Sequence, residues 1–200
     1  MAKKKNQKRV GGNYSGNRVK KENTYGNSRR KTYMILSTAA IIIGLIMTGV
    51  QSLGTSRSNV ELAYSDMTTV IREMEDEVST FVREAGKAGA PSGDRAGAFA
   101  SAYSALCRAG SAKERSDAAD SFANALTALH EASDEAGMPV SSYKNAASAV
   151  DQEAGRLNAA IADYNAKAEA YNKSVSGFPK SILARIMSYT EVDLISGRNR

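Results

Sequence analysis

The chain has one Cys (Cys107), one His (His130), three Pro and no Trp in 200 residues. Each shortage excludes something. A single Cys cannot form an intramolecular disulfide or a Cys-based metal cluster. A single His excludes the paired-His ligand sets of most zinc and iron sites. No G-x-S-x-G nucleophile elbow and no phosphate-binding Gly loop occur. Acid is missing from the N-terminus. Residues 1–31 hold 11 Lys and Arg against Glu22 alone, a net of +10. The whole chain is +6, so residues 32–200 carry −4 and the basic character belongs to the tail.

Residues 1–31 also have almost no aliphatic side chains, so they cannot offset chain entropy by burial and read as a disordered tail. Thr32–Ser56 lacks any charge. Its centre, YMILSTAAIIIGLIMTGV (Tyr33–Val50), is 18 residues long. At about 1.5 Å per residue that makes about 27 Å of helix. Gln51–Leu53 completes a span of the ~30 Å hydrocarbon core. The run is long for a cleaved signal peptide, and no clean small-x-small site follows it. No Cys follows it for lipidation, and it lacks the Gly site and early Glu of a type IV pilin. The expected reading is an uncleaved transmembrane signal anchor over 32–53. Arg29-Arg30-Lys31 abut the span, which predicts a cytoplasmic N-terminus and an extracytoplasmic domain over 57–200. Lys3, Lys4, Lys5, Lys8, Arg9, Lys20 and Lys21 then suit anionic headgroups. A nucleic-acid reading, with Tyr14 and Tyr25 stacking on bases, is the weaker alternative, and no nucleic-acid partner is expected. Ala40 and Gly44 form one small-xxx-small pair that would seat a second span.

Beyond the span the pattern becomes helical. Val60, Tyr64, Met67, Ile71, Met74, Val78, Phe81 and Ala85 step 4-3-4-3-4-3-4, a heptad seam with Ser58 as its expected N-cap. It stops at Gly86–Pro91. A second helical region covers about 94–136, with Phe99, Tyr103 and Leu106 on one stripe and Phe122, Ala125, Leu126 and Leu129 on another. Gly110-Ser111 breaks or kinks it, and Gly137-Met138-Pro139 ends it. The third helix carries Tyr143, Ala147, Val150, Ala154, Leu157, Ile161, Tyr164, Ala168, Tyr171, Val175 and Phe178 at the same alternation, stopped by Gly177 and Pro179. A short amphipathic segment, Ser181–Ser196, closes the chain. It would cap the bundle or touch a partner. The fold class is all-α: a transmembrane helix, then an antiparallel bundle of long helices. Dimerisation through the heptads is the alternative, so a homo-oligomer stays open. Tyr64, Phe81, Phe99, Phe122, Tyr164, Tyr171 and Phe178 are the expected aromatic core.

Asn158, Asn165 and Asn172 each follow a seam residue and form a polar ladder along its edge. Register-setting contacts beside the core are one reading, and a surface for an unidentified protein partner is the other. Arg156-Leu157, Tyr164-Asn165, Tyr171-Asn172, Val175 and Phe178-Pro179, followed by Ile182 and Ala184, resemble the LemA family of bacterial membrane-anchored helical proteins. The motif covers about residues 150–185, and the layout of anchor plus bundle covers about 33–196. The resemblance implies a helical bundle tethered to the cell envelope and, since the family has no established enzymatic function, little chemistry. It marks Tyr164, Asn165, Tyr171, Asn172, Phe178 and Pro179 as the motif and a candidate interaction surface. The chain departs from the family in lacking Ala-Trp and Pro-Asn-Leu-Val. It has Met187-Ser188-Tyr189 where the family tends to have Gly-Phe.

Little else suggests chemistry. His130 with Glu131 and Asp134 lacks a nucleophile context and reads as a helix-surface residue. Cys107 is expected to be a buried, inert thiol. Glu73, Glu75, Asp76 and Glu77 read as a solvated face, since calcium sites hold their ligands in a defined loop. No catalytic residue, cofactor or metal is expected. The expected function is a non-catalytic scaffold or interaction module, with an inverted cytoplasmic adaptor and a hydrolase as the alternatives.

Overall fold

The computed structural model describes residues 16–87, 92–137 and 141–196, with side chains from Ser28 onward. Among these residues the chain is helical and contains no strand. In order the helices are α1 (Gly16–Glu73), α2 (Glu75–Gly86), α3 (Ser92–Arg108), α4 (Ala112–Glu135), α5 (Ser141–Ser176) and α6 (Lys180–Ile186). The chain divides into two compact units, Met1–Thr48 and Gly49–Arg200, and α1 contributes to both.

The first unit is the apolar stretch. One helix is long and apolar enough to cross a membrane, with a mean hydropathy of 2.1 over its best 18 residues and none of that window buried. Ile41 is 64% exposed and Leu45 is 66% exposed. A soluble surface rarely shows so large a continuous apolar patch. The expected disordered tail is corrected in part. Helix α1 begins at Gly16, while residues 1–15 lie outside the described residues. Extending a nucleated helix costs little per residue, so the apolar stretch can carry the polar residues before it.

The second unit is the bundle. The heptad seam holds, with Val60, Met67, Ile71, Met74, Val78, Phe81 and Ala85 buried and Tyr64 half-buried against the core. Ser58 is not an N-cap, because α1 runs through it without interruption. The helix is interrupted instead at Met74, between α1 and α2. The i→i−4 bonds Met74 N–H to Val70 O (3.2 Å) and Val78 N–H to Met74 O (3.0 Å) persist across it, so the seam keeps its register.

The second helical region does not kink but folds back, so the expected three long helices become four rods. Ser111 caps α4 by accepting from the Glu114 N–H at 3.2 Å. The Glu114 carboxylate accepts in return from the Ser111 N–H (3.2 Å) and the Gly110 N–H (2.9 Å). This capping box satisfies donors that the start of α4 would otherwise leave unpaired. The Ser92 hydroxyl meets Ala132 O, Phe99 meets Phe122, and Arg115 meets Ala109, an order that makes α3 and α4 antiparallel. The pairs Phe81–Tyr143, Glu73–Arg156 and Tyr64–Tyr164 set α5 antiparallel to α1 and α2. At the other turn Gly137 takes φ +61° after α4, in the left-handed region where glycine carries no Cβ penalty. Pro91 and Pro139, the expected breakers, lie outside the described residues.

Phe81 is the hub of the core. Its ring stacks edge-on to Phe99 (centroids 5.7 Å, interplanar angle 82°) and lies 5.5 Å from Tyr143. Phe99 in turn contacts Phe122 at 5.1 Å. Four helices therefore share one aromatic cluster. On α5 the seam is buried from Tyr143 to Val175, apart from Ala154, which is half-buried. Phe178 is a correction: it is 85% exposed, not the seam's last core residue. The reason is local. Helix α5 ends at Ser176, so the seven-residue step no longer carries residue 178 to the buried face.

Candidate functional site

The Tyr-Asn motif lies along α5, and what lies against it is the chain's own C-terminus. Helix α6 ends in a Schellman motif. The Tyr189 N–H reaches back to Ala184 O (2.8 Å), and the Ser188 N–H to Arg185 O (3.3 Å). Ser188 takes φ 55°, in the left-handed region, at the turn between them. The expected amphipathic segment is therefore helical only over Lys180–Ile186, and 189–196 run as a non-helical strap.

Asn165 and Asn172 hold that strap. Asn172 donates from Nδ2 to Val192 O (2.8 Å) and accepts from the Val192 N–H at Oδ1 (2.9 Å). Asn165 does the same to Ile195, at 2.6 and 2.9 Å. A carboxamide carries the donor and acceptor of a peptide group, so each Asn pairs with one strap residue as a neighbouring strand would. The spacing fits. Seven helical residues rise about 10.5 Å, and three extended residues cover about 10 Å. Tyr164 adds a third anchor, donating its hydroxyl to Asp193 O at 2.8 Å. Burial pushes the Tyr164 phenol above its ordinary pKa, which keeps it a neutral donor. Ile195 is buried in the core, and the Ser196 N–H donates to Ser116 Oγ on α4 (2.8 Å). Tyr171 is buried between the two Asn residues in sequence, and burial raises its phenol pKa likewise.

The candidate residues are thus split. Tyr164, Asn165 and Asn172 converge on the strap, and Tyr171 sits in the core beside them. Phe178 and Pro179 stand apart, at the exposed turn into α6 across a cis peptide bond. Asn158, the first rung of the ladder, is exposed. Sequence reasoning found the ladder but not its occupant, because Val192 and Ile195 lie 20 and 30 residues away. The usable signal was the match between a step of seven on a helix and a step of three on an extended chain.

Sequence reasoning also missed Arg115. It is 4% exposed, and its guanidinium lies 5.0 Å from the centre of the Tyr64 ring. Its Nη2 donates to Ala109 O, closing the end of α3. Arg115 borders a cleft of about 540 Å³ that also touches Glu75, Tyr103 and Cys107. Tyr103 donates its hydroxyl to Ile71 O (2.7 Å), tying α3 to α1, and burial holds its pKa well above the ordinary phenol value. Cys107 is a second correction. The thiol is exposed. The stripe of Phe99, Tyr103 and Leu106 faces the core, and residue 107 falls about 100° off Leu106.

His130 pairs with Asp151 through Nε2 at 2.9 Å, not with Asp134, and its ring lies 5.4 Å from Phe81. The acidic run on α1 and α2 is mostly exposed, and Glu73 pairs with Arg156 at 2.7 Å. Among the described residues, no cluster of three His, Cys, Asp or Glu is placed to hold a metal ion. The chain matches no protein-family model, and no curated protein is similar to it.

Proposed function

We propose that this chain is a single-pass membrane protein of the LemA type, anchored by 32–53, whose bundle faces away from the cytoplasm as a non-catalytic scaffold. The observation that carries this reading is the exposed apolar helix flanked by Arg29, Arg30 and Lys31. The side-chain ladder supports a scaffold over an enzyme, since Asn165, Asn172 and Tyr164 use their polar atoms on the strap. His130 likewise spends its contacts on Asp151 and Phe81. Membrane lipid is the first partner. The protein partner, or a second copy, would meet the outer faces of the bundle.

Two measurements test this. The full chain should stay with membranes through an alkaline carbonate wash, and replacing residues 33–53 with a polar linker should release it. Release of the intact chain would remove the anchor. Purified protein should show no hydrolysis that His130→Ala abolishes while circular dichroism is unchanged. Such activity would replace the scaffold with an enzyme.

A further inference from the structure

The second unit carries an apolar surface that its own core does not use. Phe178 is 85% exposed, Ile182 54% and Ile186 75%. Ile182 and Ile186 are one helical turn apart on α6, and Phe178 lies in the turn that leads into it. The opposite side of α6 is occupied: Ala184 is buried and Leu183 packs on the core. Leu183 also fixes where this surface lies. Its Cδ1 would come within 2.6 Å of a Cβ added at Gly49, so the Leu183 side chain packs directly over that glycine. Lys180 Nζ donates to Ser52 Oγ at 2.8 Å. Gly49 and Val50 are the last residues of the apolar centre Tyr33–Val50. Helix α6 therefore packs on Gly49 and Ser52, where the second unit begins.

We propose that Phe178, Ile182 and Ile186 insert into the interfacial zone of the lipid leaflet that faces the bundle. This rests on the reading of the apolar run as a membrane span. An aromatic, two branched aliphatics and the flanking cations Lys180 and Arg185 match the chemistry of a headgroup–acyl boundary. There apolar side chains leave water while cations meet phosphate. Residues 178–189 contain no acid that would oppose it. Tethering makes the encounter intramolecular, so a short helix suffices where a free one would bind weakly. The surface would give the second unit a lipid contact of its own.

The absence of Trp makes a direct test available. The full chain is reconstituted into phosphatidylcholine vesicles with and without lipid brominated high on its acyl chain. Single-Trp variants Phe178→Trp, Ile186→Trp, Ile41→Trp and Ser121→Trp are compared. Ile41 lies in the apolar run and Ser121 on the exposed face of α4. Phe178→Trp and Ile186→Trp should lose emission to brominated lipid and emit to the blue, as Ile41→Trp does. Ser121→Trp should keep its emission and be quenched by acrylamide. If Ile41→Trp is quenched by brominated lipid but both α6 variants answer only to acrylamide, the inference fails and the anchor stands. Shielding of the α6 variants from both quenchers would assign the surface to a protein partner and overturn it too. An Ile41→Trp variant untouched by brominated lipid removes the anchor itself, and the inference with it.

Discussion

Replacing Asn165 and Asn172 with Ala separates a structural ladder from a free docking surface. Each Asn makes two hydrogen bonds to the strap backbone. At about 0.5–1.5 kcal/mol net per bond, each substitution should weaken strap docking by about 1–3 kcal/mol. A small term opposes this. Ala propagates a helix better than Asn by about 0.6 kcal/mol, so α5 itself should lose nothing. The reporter should be an amide that neither Asn touches. The Ser196 N–H, held by Ser116 Oγ, is protected only while the strap is docked. Its hydrogen exchange should accelerate about 5- to 140-fold in either single variant, since 1.4 kcal/mol is a factor of ten. The double variant should be faster still, with Ile195 released from the core and far-ultraviolet circular dichroism unchanged. Ser196 exchange at the wild-type rate in the double variant would refute the clamp.

Other consequences are as direct. Ser188→Gly should raise stability by about 0.5–1 kcal/mol, because glycine relieves the left-handed φ of 55°; a fall in denaturation midpoint would show that the turn is not under that penalty. Ser111→Ala removes the cap of α4 and should cost about 1 kcal/mol by urea unfolding. The backbone N–H groups of Gly110 and Ser111 hold the Glu114 pKa below its ordinary value. Its contribution is therefore full above about pH 4.3 and lost as pH falls through the folded value. The stability gap between the wild type and Glu114→Gln should close over that acidic window, and a gap constant with pH would contradict the box. Phe81→Ala, at the centre of the four-helix aromatic cluster, should cost about 3–5 kcal/mol in the same assay.

The bundle was legible because heptad spacing is a local property. The 4-3 steps from Val60 to Ala85 and from Tyr143 to Phe178 name buried or half-buried residues in all but one place, and that place, Phe178, is beyond the end of a helix. Periodicity cannot say where a helix stops. It placed Phe178 in the core, whereas the structure turns the chain at Gly177, where an added Cβ would meet Lys173 O at 2.8 Å. Nor can it foresee a helix that begins early, as α1 does at Gly16. The capping box at Ser111 was readable from S-x-x-E but passed as a mere break. The strap was not readable from helical patterns, because its residues alternate on a different period and find their partners far away in the chain. Arg115 illustrates the same limit. Its place under Tyr64 follows from the fold-back of α3 and α4, not from its neighbours in sequence.

The unique, exposed Cys107 tests the membrane-tethered orientation most directly. Intact cells expressing the unaltered chain are treated with a membrane-impermeant maleimide. Labelling of Cys107 before lysis is the outcome the account predicts. A thiol that reacts only after lysis, on a chain that stays in the membrane fraction, would contradict it and turn the bundle toward the cytoplasm.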